Sequence, residues 1–110
     1  MVPTPSQTPP PPYCAVIFTS TRTPVDAGYE ETARRMVELA AQQPGFLGVD
    51  SARSESGLGI TVSYWRSEDD IRAWKRQEEH LAAQQSGKSN WYSAYQVRIA
   101  RVERAYGMPF

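Results

Sequence analysis

One cysteine and one histidine are all that this 110-residue chain holds of the two side chains most used to bind transition metals. A lone Cys14 excludes an internal disulfide and any multi-cysteine zinc or iron–sulfur site, though not a bridge between subunits, and fits a reducing cytosol. His80 with scattered carboxylates forms no recognisable ligand cluster, so no metal is expected. Charge of one sign is also missing. Twelve Lys and Arg balance twelve Asp and Glu, so no net field draws the chain to nucleic acid or to an anionic membrane. Nowhere do about 18 apolar residues follow one another. The opening MVPTPSQTPPPP has neither a basic n-region nor an apolar h-region, and the expectation is a soluble cytoplasmic protein. The glycines of SGLGITV lie in a turn with no helix start behind them, which excludes a dinucleotide loop. No Ser-His-Asp or Cys-His nucleophile can be assigned, since Cys14 sits in an apolar strand.

At 40% hydrophobic residues the chain supports one compact domain with a modest core. Six of the nine prolines fall in residues 1–12, which predicts a disordered or polyproline II arm outside the fold. The domain then spans 13–107, and 108–110 form a tail. From Tyr13, YCAVIFTSTRT is a β-branched run that predicts a strand with apolar residues on both faces. DAGYEETARRMVELAAQQPGF places Tyr29, Ala33, Met36, Val37 and Ala40 at helical spacing, with Asp26 as N-cap and Pro44-Gly45 as the stop. A strand from Phe46 to about Arg53, a turn at Gly57 to Gly59 and a strand from Ile60 to Trp65 predict a hairpin. Ser67 and the acidic residues Glu68, Asp69 and Asp70 open a second helix whose stripe is Ile71, Trp74 and Leu81. The last strand runs from Tyr95 to about Glu103, with Tyr95, Val97 and Ile99 on one face and Arg98, Ala100 and Val102 on the other.

The order β-α-β-β-α-β predicts an α+β, ferredoxin-like sandwich with both helices on one face of an antiparallel sheet. The other face would be bare yet apolar, which predicts a homodimer whose two sheets close into a barrel.

Several stretches carry a further likeness: QPGFLGVDSAR, GITVSYWRSEDDIRAWK, EHLAAQ and WYSAYQVRIARVERAYG. Through them the chain resembles the antibiotic biosynthesis monooxygenase family of dimeric α+β barrels, from about Tyr13 to Gly107. The resemblance implies oxygenation of an aromatic, polyketide-like or quinol substrate, in the best-known members without metal, flavin or haem. His80 is similar to a histidine that many members carry on the second helix. There it would take a proton from a phenolic hydroxyl and leave an anion able to react with dioxygen. On an ideal helix it lies about 120° around from Trp74, so a solvated surface histidine is equally open.

Trp65 and Trp74 fit either a buried structural pair or the walls of a chamber, with the Tyr92 or Tyr95 hydroxyl orienting substrate oxygens. If its face is buried, Arg98 needs either a carboxylate, Asp50 or Glu103, or a substrate oxyanion. A non-catalytic dimeric module that binds a hydrophobic metabolite would use the same residues. One branch of this fold degrades haem with a first-strand asparagine and a histidine ten residues after a second-helix tryptophan. Here Trp74 fits, but Gln84 stands at the histidine position and CAVIFT holds no asparagine. Haem binding then remains an alternative only through His80.

Overall fold

The computed structural model describes residues 4–83 and 91–108, with the side chains of residues 80–83 outside that description. Its elements are β1 (Tyr13–Arg22), α1 (Tyr29–Ala41), β2 (Phe46–Arg53), β3 (Leu58–Trp65), α2 (Glu68–Ala83) and β4 (Tyr92–Val102). The four strands form one sheet in the order β2-β3-β1-β4, and every neighbouring pair is antiparallel. This is the ferredoxin-like α+β fold expected from the element order.

The ends of the helices show local chemistry at work. At α2 the Ser67 hydroxyl accepts the Asp70 amide N–H at 3.2 Å and donates to the Asp70 carboxylate at 2.9 Å, a serine N-cap held in place by that carboxylate. At α1 the expected Asp26 cap is replaced by Gly28, in the left-handed region at φ 75° with no side-chain cap bond. Asp26 lies too far ahead of Tyr29 to reach the free amides, and its carboxylate pairs with Arg22 at 2.9 Å instead. After α1 the chain turns at Gly45, φ 83°, whose carbonyl accepts the Arg66 amide at 2.8 Å. A Cβ there would also overlap the Asp70 carboxyl group. Gly45→Ala should therefore cost about 2 kcal/mol or more, read as a lowered midpoint in urea denaturation.

Two strand boundaries differ from expectation. β4 begins at Tyr92 because a bulge between Thr21 and Arg22 lets Arg22 pair with Tyr92, a break that hides the alternation in WYSAY. β3 begins at Leu58 because Ser54 N–H bonds to the Leu58 carbonyl and tightens the hairpin.

Trp65, with no exposed surface, anchors the core between sheet and helices, with Cys14, Ala40, Ile71 and Trp74 around it. Its ring stacks on Trp74 at 6.1 Å and meets the edge of Phe46 at 5.5 Å, while its indole N–H donates to the Ser63 hydroxyl at 2.9 Å. Leu81, expected to extend the stripe of Ile71 and Trp74, lies outside the described side chains. The helix-free face carries the register pairs Ile17–Val62 and Ala15–Ala100, with Leu58 and Ile60 exposed.

The proline-rich arm, expected outside the fold, is tied to it. Ser6 N–H donates to Asp50 Oδ1 at 2.8 Å, and the Ser6 hydroxyl both donates to the Val49 carbonyl and accepts the Val49 N–H. Thr8 donates to the Tyr13 hydroxyl at 2.8 Å. Beside them the Tyr64 hydroxyl donates to Asp50 Oδ2 at 2.9 Å. Burial, then that bond to a carboxylate, push the Tyr64 phenol from 10.0 to about 12. The folded chain thus holds this proton more tightly than the unfolded one. Its contribution to stability is whole below pH 10.0 and is lost as pH rises toward about 12. Alkaline unfolding of Tyr64→Phe should lack that part of the slope.

Candidate substrate trough

Antiparallel partners point their side chains the same way, so register alone sorts the sheet into two faces. On the helix side one row joins Ser51, Thr61, Phe18 and Val97, and the next joins Arg53, Gly59, Ser20 and Tyr95. Among the described residues the helices pack mainly on β2 and β3, and α1 reaches β4 through Tyr29 and Tyr92. Tyr95 is accordingly 65% exposed, Ile99 52% and Val97 39%, although all three face the helix layer. The result is an open trough along β4 with an apolar floor.

Aromatic rings wall one end of it. Phe18 meets Tyr92 edge-on at 5.5 Å and Tyr95 at 5.7 Å. Tyr29, the first residue of α1, packs edge-on against Tyr92 at 5.9 Å and Trp91 at 5.6 Å. It also carries the Arg22 guanidinium 3.4 Å above its ring. The Tyr92 hydroxyl donates to the Tyr29 hydroxyl at 3.4 Å, which leaves the Tyr29 O–H as a donor. Burial, followed by that hydrogen bond, pushes the Tyr92 phenol above its ordinary range, so it stays neutral and cannot serve as a base near neutral pH.

The same sheet surface has a polar corner. Arg53 crosses over Gly59 and donates to the buried Ser20 hydroxyl at 2.8 Å and to the Ser20 carbonyl at 3.3 Å. A Cβ on Gly59 would stand 2.5 Å from the guanidinium carbon, so only glycine lets the arginine lie flat there. Beside it the Ser51 and Thr61 hydroxyls share a bond of 2.7 Å.

The residues singled out in the sequence separate into groups. Trp65 and Trp74 are core, and the Trp65 N–H is already used by Ser63. Tyr92 and Tyr95 meet at 6.4 Å at the end of the trough. Arg98 pairs in register with Ile17 on the helix-free face, away from both tyrosines. Its expected partners are engaged elsewhere, Asp50 with Ser6 and Tyr64, and Glu103 with Arg101 at 2.6 Å. His80 lies on α2 with its side chain outside the described residues, as does all of Gln84. Phe18, Tyr29, Arg53 and Ser20 were not anticipated at the site, because nothing local in the sequence marks residues brought together by strand pairing. Among the described residues no group of three His, Cys, Asp or Glu is placed to hold a metal ion, and no helix is long and apolar enough to cross a membrane.

Comparison with known proteins gives this surface a context. The model of a family described as antibiotic biosynthesis monooxygenase matches residues 12–86. The chain belongs to the antibiotic biosynthesis monooxygenase family. Over 99 residues it is 59% identical to the uncharacterized protein YqjZ of Bacillus subtilis, covering 90% of this chain and 87% of that protein. Among solved structures, the fold is similar to that of SnoaB, a cofactor-independent oxygenase from Streptomyces nogalater. That match has a TM-score of 0.65 and 16% identity, and covers 91% of this chain and 100% of SnoaB. PA3566 from Pseudomonas aeruginosa is similar at a TM-score of 0.65 and 21% identity, over 87% of this chain and 97% of that one. At these identities the two structures establish a fold shared with this family member, while the chemistry has to be argued from the trough.

Proposed function

We propose that the protein is a cytoplasmic, homodimeric, cofactor-independent monooxygenase that oxidises a flat aromatic hydroxylated molecule with dioxygen. The observation that carries this reading is the apolar strip exposed on the helix-facing side of β4 among the described residues, with a phenolic donor at one end. Val97, Ile99 and Phe18 offer a surface on which a polycyclic ring system can lie. The Tyr29 hydroxyl, which accepts from Tyr92 and keeps its own O–H to donate, would hold its oxygen. Family membership and the fold shared with a cofactor-independent oxygenase support the reaction class.

In this reading His80 takes the proton of the substrate hydroxyl. The resulting anion passes one electron to dioxygen, and the substrate radical and superoxide combine into a carbon–oxygen bond. The peroxide anion recovers a proton from His80; loss of water then leaves a new carbonyl. One oxygen atom ends in product and one in water, with no outside reductant.

A second reading has a specific observation in its favour. Among the described residues Tyr92 is held neutral by burial and by its bond to Tyr29 and offers no base, so if His80 does not act the surface would bind without reacting. It would then sequester a hydrophobic metabolite without turnover. Dioxygen uptake by the purified protein, with chelator present, against anthrones, naphthols and hydroquinones separates the two. Uptake supports the monooxygenase, and tight binding without uptake supports the binding module.

A further inference from the structure

We infer that Arg53 selects a hydroxylated aromatic that also carries a carboxylate, and binds that anion beside the phenolic end of the exposed strip. The inference rests on the aromatic substrate proposed above and adds its charge.

The strands put no acid on the helix-facing side of the sheet. Register places Asp50 on the opposite face, in a row with Val62 and Ile17, and the strand charges left on the helix side are Arg22, Arg53 and Arg101. Two of these are neutralised. Arg22 pairs with Asp26 at 2.9 Å and Arg101 with Glu103 at 2.6 Å. No carboxylate among the described residues pairs with Arg53. Its charge stands uncompensated on the face proposed to bind substrate.

The Arg53 head is also held ready. Nη1 donates to the Ser20 carbonyl at 3.3 Å and to the Gly57 carbonyl, and Nη2 donates to the Ser20 hydroxyl at 2.8 Å. These bonds use both hydrogens on Nη1 and one on Nη2. The Nε hydrogen and the second Nη2 hydrogen have no acceptor among the described residues. They lie side by side on one edge of the planar fork, the arrangement that a carboxylate binds through two parallel hydrogen bonds. A head fixed in advance loses little freedom when the anion arrives.

The row of the sheet brings this edge to the aromatic end. Arg53 starts on β2, crosses Gly59 on β3 and ends on Ser20 of β1, whose partner on β4 is Tyr95. Tyr95 and Tyr92 both pack on Phe18. Burial and the bond to Tyr29 dominate the Tyr92 phenol, yet the charge of Arg53 is felt there and opposes them. A ring lying on Phe18 and Val97, with its hydroxyl on Tyr29, would carry a carboxylate substituent toward Arg53.

Isothermal titration calorimetry tests this with 2-naphthol, 3-hydroxy-2-naphthoate and 6-hydroxy-2-naphthoate, the last two adding a carboxylate at different distances from the hydroxyl. At least one naphthoate should bind the intact chain about 10-fold or more tighter than 2-naphthol. Arg53→Gln should abolish that preference, and Arg53→Lys, which keeps the charge but loses the fork, should retain only part of it. An arginine that merely pins Ser20 would, on substitution, weaken all the compounds together; a preference unchanged in Arg53→Gln therefore overturns the inference. If Arg53→Gln fails to fold, Gly59→Ala decides in its place. Its Cβ would stand 2.5 Å from the guanidinium carbon, so it displaces the head without removing the charge. A lost preference supports the assignment and an unchanged one overturns it. Equal binding of all the compounds by the intact chain overturns the role of Arg53 and leaves the site standing, whereas no binding of any of them overturns the site and the inference with it.

Discussion

Trp65→Ala should remove a large share of the domain's stability. The side chain has no exposed surface, stacks on Trp74, meets Phe46 edge-on, and its indole N–H donates to the Ser63 hydroxyl. Truncating a buried tryptophan costs about 3–5 kcal/mol, through lost burial and the cavity left between sheet and helices. A domain of this size has roughly 5–15 kcal/mol in total, so the loss removes a large share of it. Trp65→Phe keeps most of the stack and loses chiefly the N–H bond, worth about 1 kcal/mol, together with part of the ring volume. Urea denaturation followed by far-ultraviolet circular dichroism should rank intact above Trp65→Phe above Trp65→Ala. If Trp65→Phe is as stable as the intact chain yet loses dioxygen uptake, the residue is a chamber wall and its assignment to the core is overturned.

His80→Ala should lower dioxygen uptake by about 100-fold or more, the usual contribution of a positioned general base, while leaving the denaturation midpoint near that of the intact chain. Histidine is the one side-chain type in this sequence that changes charge near neutrality unperturbed, so the rise of uptake with pH should vanish in the variant. Uptake that survives intact keeps the monooxygenase and discards the base. Weakened substrate binding with unchanged turnover would instead make His80 a positioning group. The raised Tyr92 phenol offers no substitute proton acceptor below strongly alkaline pH, so rescue by that residue is not expected.

The candidate site was legible in part. Both Tyr95 and Arg98 were offered as substrate contacts, although alternation along the last strand puts them on opposite faces. Which of them faces the helices was decided by pairing, Tyr95 with Ser20 on the helix side and Arg98 with Ile17 on the other. The tryptophans divided differently. Spacing already put Trp74 in the apolar stripe and left Trp65 open between core and chamber, and only its stack on Trp74, its edge contact with Phe46 and its satisfied indole N–H place it in the core. Arg53 and Ser20, 33 residues apart, come together through the β1–β3 and β2–β3 registers, which no local pattern encodes.

By itself the sequence determined the kinds of element, their order and several of their ends. The helical spacing in α1, the Ser67 cap and the Gly45 stop are set by contacts within a few residues, which the order of residues specifies directly. Tertiary structure decided what depends on partners far along the chain. The Asp26 side chain went to Arg22 and left the cap to Gly28, Ser6 crossed 43 residues to the edge of β2, and the helices settled over β2 and β3. The physical reason is that register and layer packing minimise the energy of the whole sheet at once, so a residue's neighbours across strands follow from every other pairing and not from its own stretch of sequence.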